Sequence, residues 1–452
     1  MGTETATAVF EELHPPLDDD LAVLEASRCL ECGRDGRPAP CAEACPTHID
    51  VPKFIREIRL GQPVDSAETI FASNVLGGTC ARVCPVDELC EGACVLLDEG
   101  RRAVEIGRLQ RYATDAVLKA PGFGHPLSPR KATPLSVGVV GAGPAGLACA
   151  AELAKLGHDA TVYERRKMPG GLVPTAIAPY KQQIEPLPQE TELIERLGVT
   201  IRWGTSVGDD LPLSELEHAH DAVFLGAGLG SDVEPPIEGA HLEGVWRSLE
   251  FIEQLKLGTP PEIGDDVVVL GGGNTAIDVA REAIRMGARN VTVLYRRTIN
   301  EMPAFRHEVE AARREGVHFQ WLVAPERVIG EMRAEGIECV YTRLESSPEG
   351  GRRKPAKVDG TDFTVPADTV VLALGQRKRT DLFAQIKGLE LTNDLVAVDE
   401  NHRTSNPKVY AGGDCTNGGA TVVEAVAHGM TAARAIDRQI EPNGAEGGDT
   451  DA

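Results

Sequence analysis

The pattern that most restricts this chain occurs twice: a short apolar strand, a glycine turn, a helix and a second strand. Ser136-Val-Gly-Val-Val140 runs into Gly141-Ala-Gly-Pro-Ala-Gly146, a helix from Leu147 to Leu156 closed by Gly157, and Ala160-Thr-Val-Tyr163. The same order returns at Asp266-Val-Val-Val-Leu270, Gly271-Gly-Gly-Asn-Thr-Ala276, Ile277 to Met286, and Val291-Thr-Val-Leu-Tyr295. Such a turn leaves the first N–H groups of a helix free to receive a pyrophosphate, and its glycines let the backbone close on it. A lone G-x-G-x-x-G is weak evidence; set in strand–turn–helix–strand order it is strong. Two such units predict two dinucleotide sites on two Rossmann-like α/β domains.

The first unit ends in an acid. Glu164 stands 18 residues beyond Gly146, where a carboxylate accepts the hydroxyls of an adenosine ribose. The distant segment Val409-Tyr-Ala-Gly-Gly-Asp414, followed by a helix from about Thr421, separates FAD from a nicotinamide. In flavoproteins with two dinucleotides, a segment of this form places its Asp on the ribitol. An ordinary turn Asp is the plain alternative for Asp414. The candidate FAD residues are Gly141, Ala142, Gly143, Pro144, Ala145, Gly146, Glu164, Arg165, Gly171, Leu172, Gly413, Asp414, Thr421 and Val422.

The second unit lies between these FAD segments and reads as an inserted nicotinamide domain. Gly271, Gly272, Gly273, Asn274, Thr275 and Ala276 form its turn, and Ala373 and Gly375 lie in the apolar segment Val370 to Gly375 that leads out of it. Its second strand ends in Arg296 and Arg297, where an NAD site would place an acid. Paired guanidinium groups suit a 2′-phosphate, so NADPH is favoured over NADH. A solvated strand end is the plain alternative.

Eight of the eleven cysteines fall between Cys29 and Cys94, spaced Cys29-x2-Cys32-x8-Cys41-x3-Cys45 and Cys80-x3-Cys84-x5-Cys90-x3-Cys94. Proline follows Cys45 and Cys84, as in ferredoxin-type runs. Zinc is the alternative, but the neighbouring redox domains favour iron–sulfur clusters. Cys149, Cys339 and Cys415 stand alone, without the Cys-x-x-Cys of a disulfide reductase. Hydride transfer between stacked cofactor rings then needs no catalytic residue from the protein. A nicotinamide gives two electrons as hydride and a cluster takes one, so a flavin belongs between them.

The remaining properties exclude rather than define. With 46 basic and 69 acidic residues, a net charge of −23 disfavours nucleic acid and anionic lipid as partners. No apolar stretch is long enough for a membrane span and the N-terminus has no signal-peptide pattern, so a cytoplasmic location is expected. The expected order is a helical iron–sulfur domain (1–118), a Pro- and Gly-bearing linker (119–134), the first FAD part (135–233), the NADPH domain (234–377), the second FAD part (378–440) and a disordered tail (441–452).

With its cysteine block Leu76-Gly-Gly-Thr-Cys-Ala-Arg-Val-Cys-Pro-Val-Asp-Glu-Leu-Cys-Glu-Gly-Ala-Cys94 and Ile106-Gly-Arg-Leu-Gln-Arg-Tyr-Ala-Thr-Asp115, the chain resembles the glutamate synthase small-subunit family. Within it, the resemblance is strongest to the NADPH-oxidising half of dihydropyrimidine dehydrogenase and its bacterial separate subunit. That resemblance implies one 4Fe-4S cluster on Cys29, Cys32, Cys41 and Cys94, and another on Cys45, Cys84, Cys90 and Gln110, leaving Cys80 spare. Lys181 stands in a segment that replaces an arginine-bearing flavin contact, and is expected near FAD. Tyr295 to Ala304 looks more like the glutamate synthase and ferredoxin:NADP transhydrogenase subunits. The resemblance implies an NADPH-oxidising electron-input subunit. Its favoured partner is an FMN-containing dihydropyrimidine dehydrogenase subunit; the alternatives are a glutamate synthase large subunit and a ferredoxin-linked transhydrogenase. A non-catalytic carrier or assembly protein is the reading of a different class.

Overall fold

The computed structural model describes residues 12–33, 36–120, 135–346 and 352–439. The linker segment 121–134 and the tail expected from 441 onward lie outside them. Two compact units divide the chain. One combines residues 14–173, 184–229 and 378–452; the other combines 1–13, 174–183 and 230–377.

In the first unit, the described residues before Ser136 form helices and no strand. Each helix has a local cause. Val51–Arg59 starts where the Asp50 side chain accepts the Lys53 N–H at 3.1 Å, with Pro52 in its first turn. Its Val51, Phe54, Ile55 and Ile58 recur at helical spacing and are all buried. Ile106–Leu118 lays Ile106, Leu109 and Ala113 against the same interior, and Val117 in a second cluster with Ala67, Phe71 and Leu193.

The rest of this unit is a parallel five-stranded sheet in the order Val409–Ala411, Ala222–Leu225, Ser136–Val140, Asp159–Glu164, Thr200–Trp203. Its central strands are continuous apolar runs, as expected of parallel strands covered on both faces. The helices Pro144–Leu156 and Val422–Arg438 pack together along their length. Gly429 makes this contact possible, because a Cβ there would lie 2.1 Å from the Ala145 carbonyl oxygen. Val423 joins the core that contains Cys45 and Cys80, so the helix Val422–Arg438 also packs against the cysteine-bearing helices.

The second unit repeats the sheet in the order Val245–Arg247, Thr369–Leu372, Asp266–Leu270, Asn290–Tyr295, His318–Trp321, again all parallel. Its strands fall in sequence between those of the first sheet. The entering and leaving chains run side by side, with Val233 N–H donating to the Gly375 carbonyl at 2.8 Å and Gly230 N–H to that of Arg377 at 2.7 Å. An antiparallel sheet built on Val323–Ile329, Gly336–Glu345, Lys354–Lys357 and Phe363–Pro366 is an addition that the sequence pattern did not announce. Prolines inside three of its strands (Pro325, Pro355, Pro366) obscured their alternation.

Residues 174–183, expected in the first FAD part, pack instead with the second unit. Among the described residues, no helix is long and apolar enough to cross a membrane.

Candidate functional site

The first glycine turn is shaped by two different demands. Gly141 has φ +95°, and a Cβ on it would meet the Gly226 carbonyl oxygen at 2.6 Å. A Cβ on Gly146 would lie 1.9 Å from the Gly141 oxygen, so both glycines are required by the chain itself. Gly143 differs. Its φ of −75° and ψ of 175° suit any residue, and an added Cβ would reach only the Gly171 Cα, at 3.9 Å. Nothing in the protein demands glycine there. It stands at the N-cap of Pro144–Leu156, followed by Ala145, where a pyrophosphate would approach.

Glu164 is buried, and its carboxylate accepts the Ala142 N–H at 2.7 Å and the Arg166 N–H at 2.8 Å. It therefore braces the glycine turn as well as standing where a ribose would lie. Arg165 beside it is exposed, and Arg379 lies close enough for burial and the Arg165 charge to lower its pKa. Sequence reading missed Arg379, which carries no motif. Gly171, at φ +59°, faces Gly143, and Leu172 follows it in the same turn.

The far segment arrives at the same place. Gly413 has φ +73°, and a Cβ on it would meet Ala145 Cβ at 3.1 Å. Its N–H donates to Nδ1 of His428 at 3.1 Å, a support without a sequence signature. Asp414 opens a short helical turn, and burial raises its pKa. Thr421 caps Val422–Arg438 in a reciprocal box with Glu424. Two helix N-termini, at Pro144 and Val422, thus lie beside Gly413.

The second turn has the same division of labour. A Cβ on Gly271 would meet the Ala373 carbonyl oxygen at 2.2 Å, and one on Gly272 the Tyr295 ring at 2.4 Å. Gly273 has nothing within 4 Å and an ordinary φ of −88°, and it caps the helix Asn274–Arg285, whose first turn carries Thr275 and Ala276. Asn274 Oδ1 accepts the Phe305 N–H at 2.9 Å. Gly375, at φ +103°, follows Ala373 on the way out. Arg296 is exposed, and Arg297 Nε donates to the Arg353 carbonyl at 2.9 Å. Arg353 in turn pairs with Glu301, whose carboxyl the Thr298 hydroxyl and Arg353 hold down at about 2.

Lys181, expected near FAD, is held by two carboxylates. Its Nζ lies 2.7 Å from Asp278 Oδ1 and 2.9 Å from Glu308 Oε1, both in the unit of the second sheet. Tyr180 beside it is fully buried, donates to Asp278 at 2.6 Å and carries Arg281 and Arg285 over its ring. An ammonium between two carboxylates is already engaged.

The cysteines form two groups. Cys29, Cys32, Cys41 and Cys94 line a single cavity whose wall is otherwise apolar, including Leu30, Val51, Ile55 and Leu96. Burial and the neighbouring Cys29, Cys94 and Cys32 push the Cys41 thiol up to about 12. The sulfurs ring a space rather than converge on a point: among the described residues, no three His, Cys, Asp or Glu side chains close on a single ion. A thiol-rich, apolar chamber fits an iron–sulfur cluster by the chemistry of its donors. Cys84 sits with Cys80, Cys90 and Cys45; its hydrogen bond with Cys80 and its burial raise its pKa. Cys80 itself is buried. Gln110 is also buried, and its Nε2 donates to the Gly77 carbonyl at 2.7 Å, which leaves the amide oxygen as its only remaining ligating atom.

Known proteins are similar to this chain. Residues 135–429 match the family described as pyridine nucleotide-disulphide oxidoreductase, and residues 6–121 match the domain described as dihydropyrimidine dehydrogenase domain II, 4Fe-4S cluster. The glutamate synthase [NADPH] small chain of Halomonas elongata is 38% identical over 96% of this chain and 93% of its own. That of Escherichia coli is 36% identical over 96% and 94%. The NADPH-Fe(3+) oxidoreductase subunit beta of Geobacter sulfurreducens is 36% identical over 90% of this chain and 64% of its own. Among solved structures, Mycobacterium tuberculosis FprA in complex with NADPH superposes with a TM-score of 0.56 at 20% identity, over 68% of this chain and 85% of that one. It supports the fold alone. The chain belongs to the pyridine nucleotide-disulphide oxidoreductase family, in the branch that carries the dihydropyrimidine dehydrogenase type of 4Fe-4S domain and includes the glutamate synthase small chains.

Proposed function

We propose that this protein is an electron-input subunit that oxidises NADPH and delivers electrons singly to a catalytic partner. The observation that carries this reading is the pair of N-cap glycines, Gly143 and Gly273, which the protein's own packing does not require. Space is kept at each for a ligand's phosphates. FAD, when bound, exchanges a hydride with a nicotinamide and single electrons with iron–sulfur clusters.

The chain's own residues would do the rest. Gly143 and Gly171 admit the FAD pyrophosphate, Glu164 braces that turn, and Asp414 and the Thr421 cap stand at the flavin end. Gly273, Asn274 and Thr275 receive the nicotinamide coenzyme's pyrophosphate, and Arg296 and Arg297 its 2′-phosphate. Cys29, Cys32, Cys41 and Cys94 would hold one 4Fe-4S cluster. Cys45, Cys84 and Cys90 would hold a second, with Gln110 as its fourth ligand and Cys80 as a near neighbour. Val423, in the first turn of the helix Val422–Arg438, packs in a core that cysteines of both groups border, which keeps both within reach of the flavin end. No side chain is asked to move a proton.

For the partner, the relatives that match over most of both chains favour a glutamate synthase large chain. The cysteine block ending in Gln110 favours the second reading, an FMN-containing dihydropyrimidine dehydrogenase subunit. Co-purification from the native host decides between them: an amidotransferase supports the first and an FMN protein with its own ferredoxin-type cysteines the second. A colourless, iron-free protein with no NADPH-dependent dye reduction would overturn the function and support a non-catalytic carrier.

A further inference from the structure

Arg296 and Arg297 follow directly on the strand Asn290–Tyr295. The structure brings two more to the same place, from more than fifty residues further along the chain. Arg352 Nη2 donates to the Tyr295 hydroxyl and to the Glu301 carbonyl. Arg353 pairs with the Glu301 carboxylate, and its carbonyl accepts from Arg297.

These four guanidinium groups are not equivalent. Glu301 neutralises Arg353. Among the described residues, no carboxylate forms an ion pair with Arg296, Arg297 or Arg352. Three positive charges with no carboxylate partner among the described residues stand out in a chain whose net charge is −23. A dianion fits the place.

The anchor of Arg352 also ties it to the glycine turn. The Tyr295 ring packs so closely on that turn that a Cβ on Gly272 would lie 2.4 Å from it. The Tyr295 hydroxyl, held by the Glu301 carbonyl at 2.9 Å, then orients Arg352. Of the five donors on a guanidinium, only those on Nη2 are engaged in Arg352 by described partners, which leaves an edge for bidentate contact with a phosphate.

We propose that Arg352 is a further specificity-determining residue, completing the 2′-phosphate pocket with Arg296 and Arg297, and that Tyr295 is its positioning residue. This rests on the NADPH reading given above. A coenzyme without the 2′-phosphate would leave the three charges unrelieved, so selection for the phosphorylated form would come from both attraction and the cost of its absence.

The test is isothermal titration of the intact protein with 2′,5′-ADP and with 5′-AMP. Wild type should bind 2′,5′-ADP the more tightly. Arg352→Ala should weaken 2′,5′-ADP by about tenfold or more while 5′-AMP changes by less than about twofold. Arg352→Lys should recover part of the loss, since charge survives without the planar fork. Tyr295→Phe, which removes only the orienting hydroxyl, should show a smaller loss confined to 2′,5′-ADP. Equal weakening of both ligands, or none, would overturn the assignment of Arg352 and leave the NADPH reading intact. A wild type without preference for 2′,5′-ADP would overturn both.

Discussion

Gly429 offers the sharpest test of how the FAD fold is assembled. The Gly429→Ala substitution adds one methyl group between the helices Val422–Arg438 and Pro144–Leu156. That Cβ would sit 2.1 Å from the Ala145 carbonyl oxygen and 2.8 Å from the Cys149 nitrogen, against a comfortable separation of roughly 3.5 Å. Both obstacles are backbone atoms, so no side chain can swing aside, and the helices must part by about 1 Å. Overpacking of this kind costs about 1–3 kcal/mol, and the upper end applies where backbone must move. For a unit of this size, 3 kcal/mol lowers the melting temperature by roughly 6 °C. The same displacement separates Ala145 from Gly413, so FAD affinity should fall about tenfold or more. Differential scanning calorimetry and flavin released per chain measure the two effects. Gly143→Ala is the contrasting variant. Its Cβ meets only Gly171 Cα at 3.9 Å, so the flavin-free protein should melt within about 1 °C of wild type while flavin binding is lost. Full flavin content and an unchanged melting temperature in Gly429→Ala would refute the direct helix contact.

Other consequences are simpler to state. Replacing Arg296 and Arg297 by Glu should raise KM for NADPH by about tenfold or more while NADH kinetics hold or improve; unchanged NADPH kinetics would remove these residues from the 2′-phosphate site. Cys29→Ser and Cys84→Ser should each lose about half of the iron, whereas Cys80→Ser keeps it. Halved iron in Cys80→Ser would move the fourth ligand of the second cluster from Gln110 to Cys80. Glu190 accepts the Gly78 and Thr79 N–H groups at 2.7 and 3.1 Å and the Thr79 hydroxyl at 2.6 Å, yet burial pushes its carboxyl up to about 7. The native state therefore retains a proton that the unfolded chain releases near its ordinary value. The stability this gives is fully present below about pH 4.5 and lost as pH rises through about 7. Melting temperatures of Glu190→Gln should show a flatter pH dependence than wild type across that window; parallel curves would refute the assignment.

What was legible in the sequence follows from how local each signal is. The two glycine turns, their flanking strands and the cysteine clustering are short-range patterns, and the parallel sheets follow from them. The strand Thr369–Leu372 was also readable, because Val370 to Gly375 keeps its apolar run. Tertiary features were less accessible. Gly429 lies mid-helix with nothing in its neighbourhood to show that another backbone presses on it. Arg352 and Arg353 meet Tyr295 and Glu301 only through a pairing of segments more than fifty residues apart. Lys181 sat in a segment that resembled a flavin contact, and its carboxylate partners Asp278 and Glu308 lie far along the chain. Cys29, Cys32, Cys41 and Cys94 line one cavity, a grouping that spacing alone could not distinguish from one cluster of eight sulfurs.

The central claim is that one chain carries electrons from NADPH through a flavin to two clusters. Anaerobic titration of the purified protein with NADPH, followed by absorbance for the flavin and by electron paramagnetic resonance for the clusters, tests it most directly. Bleaching of the flavin together with cluster signals that Cys29→Ser and Cys84→Ser each diminish separately is the predicted result. A flavin that NADPH reduces while no cluster signal develops, even with stronger reductants, would contradict it.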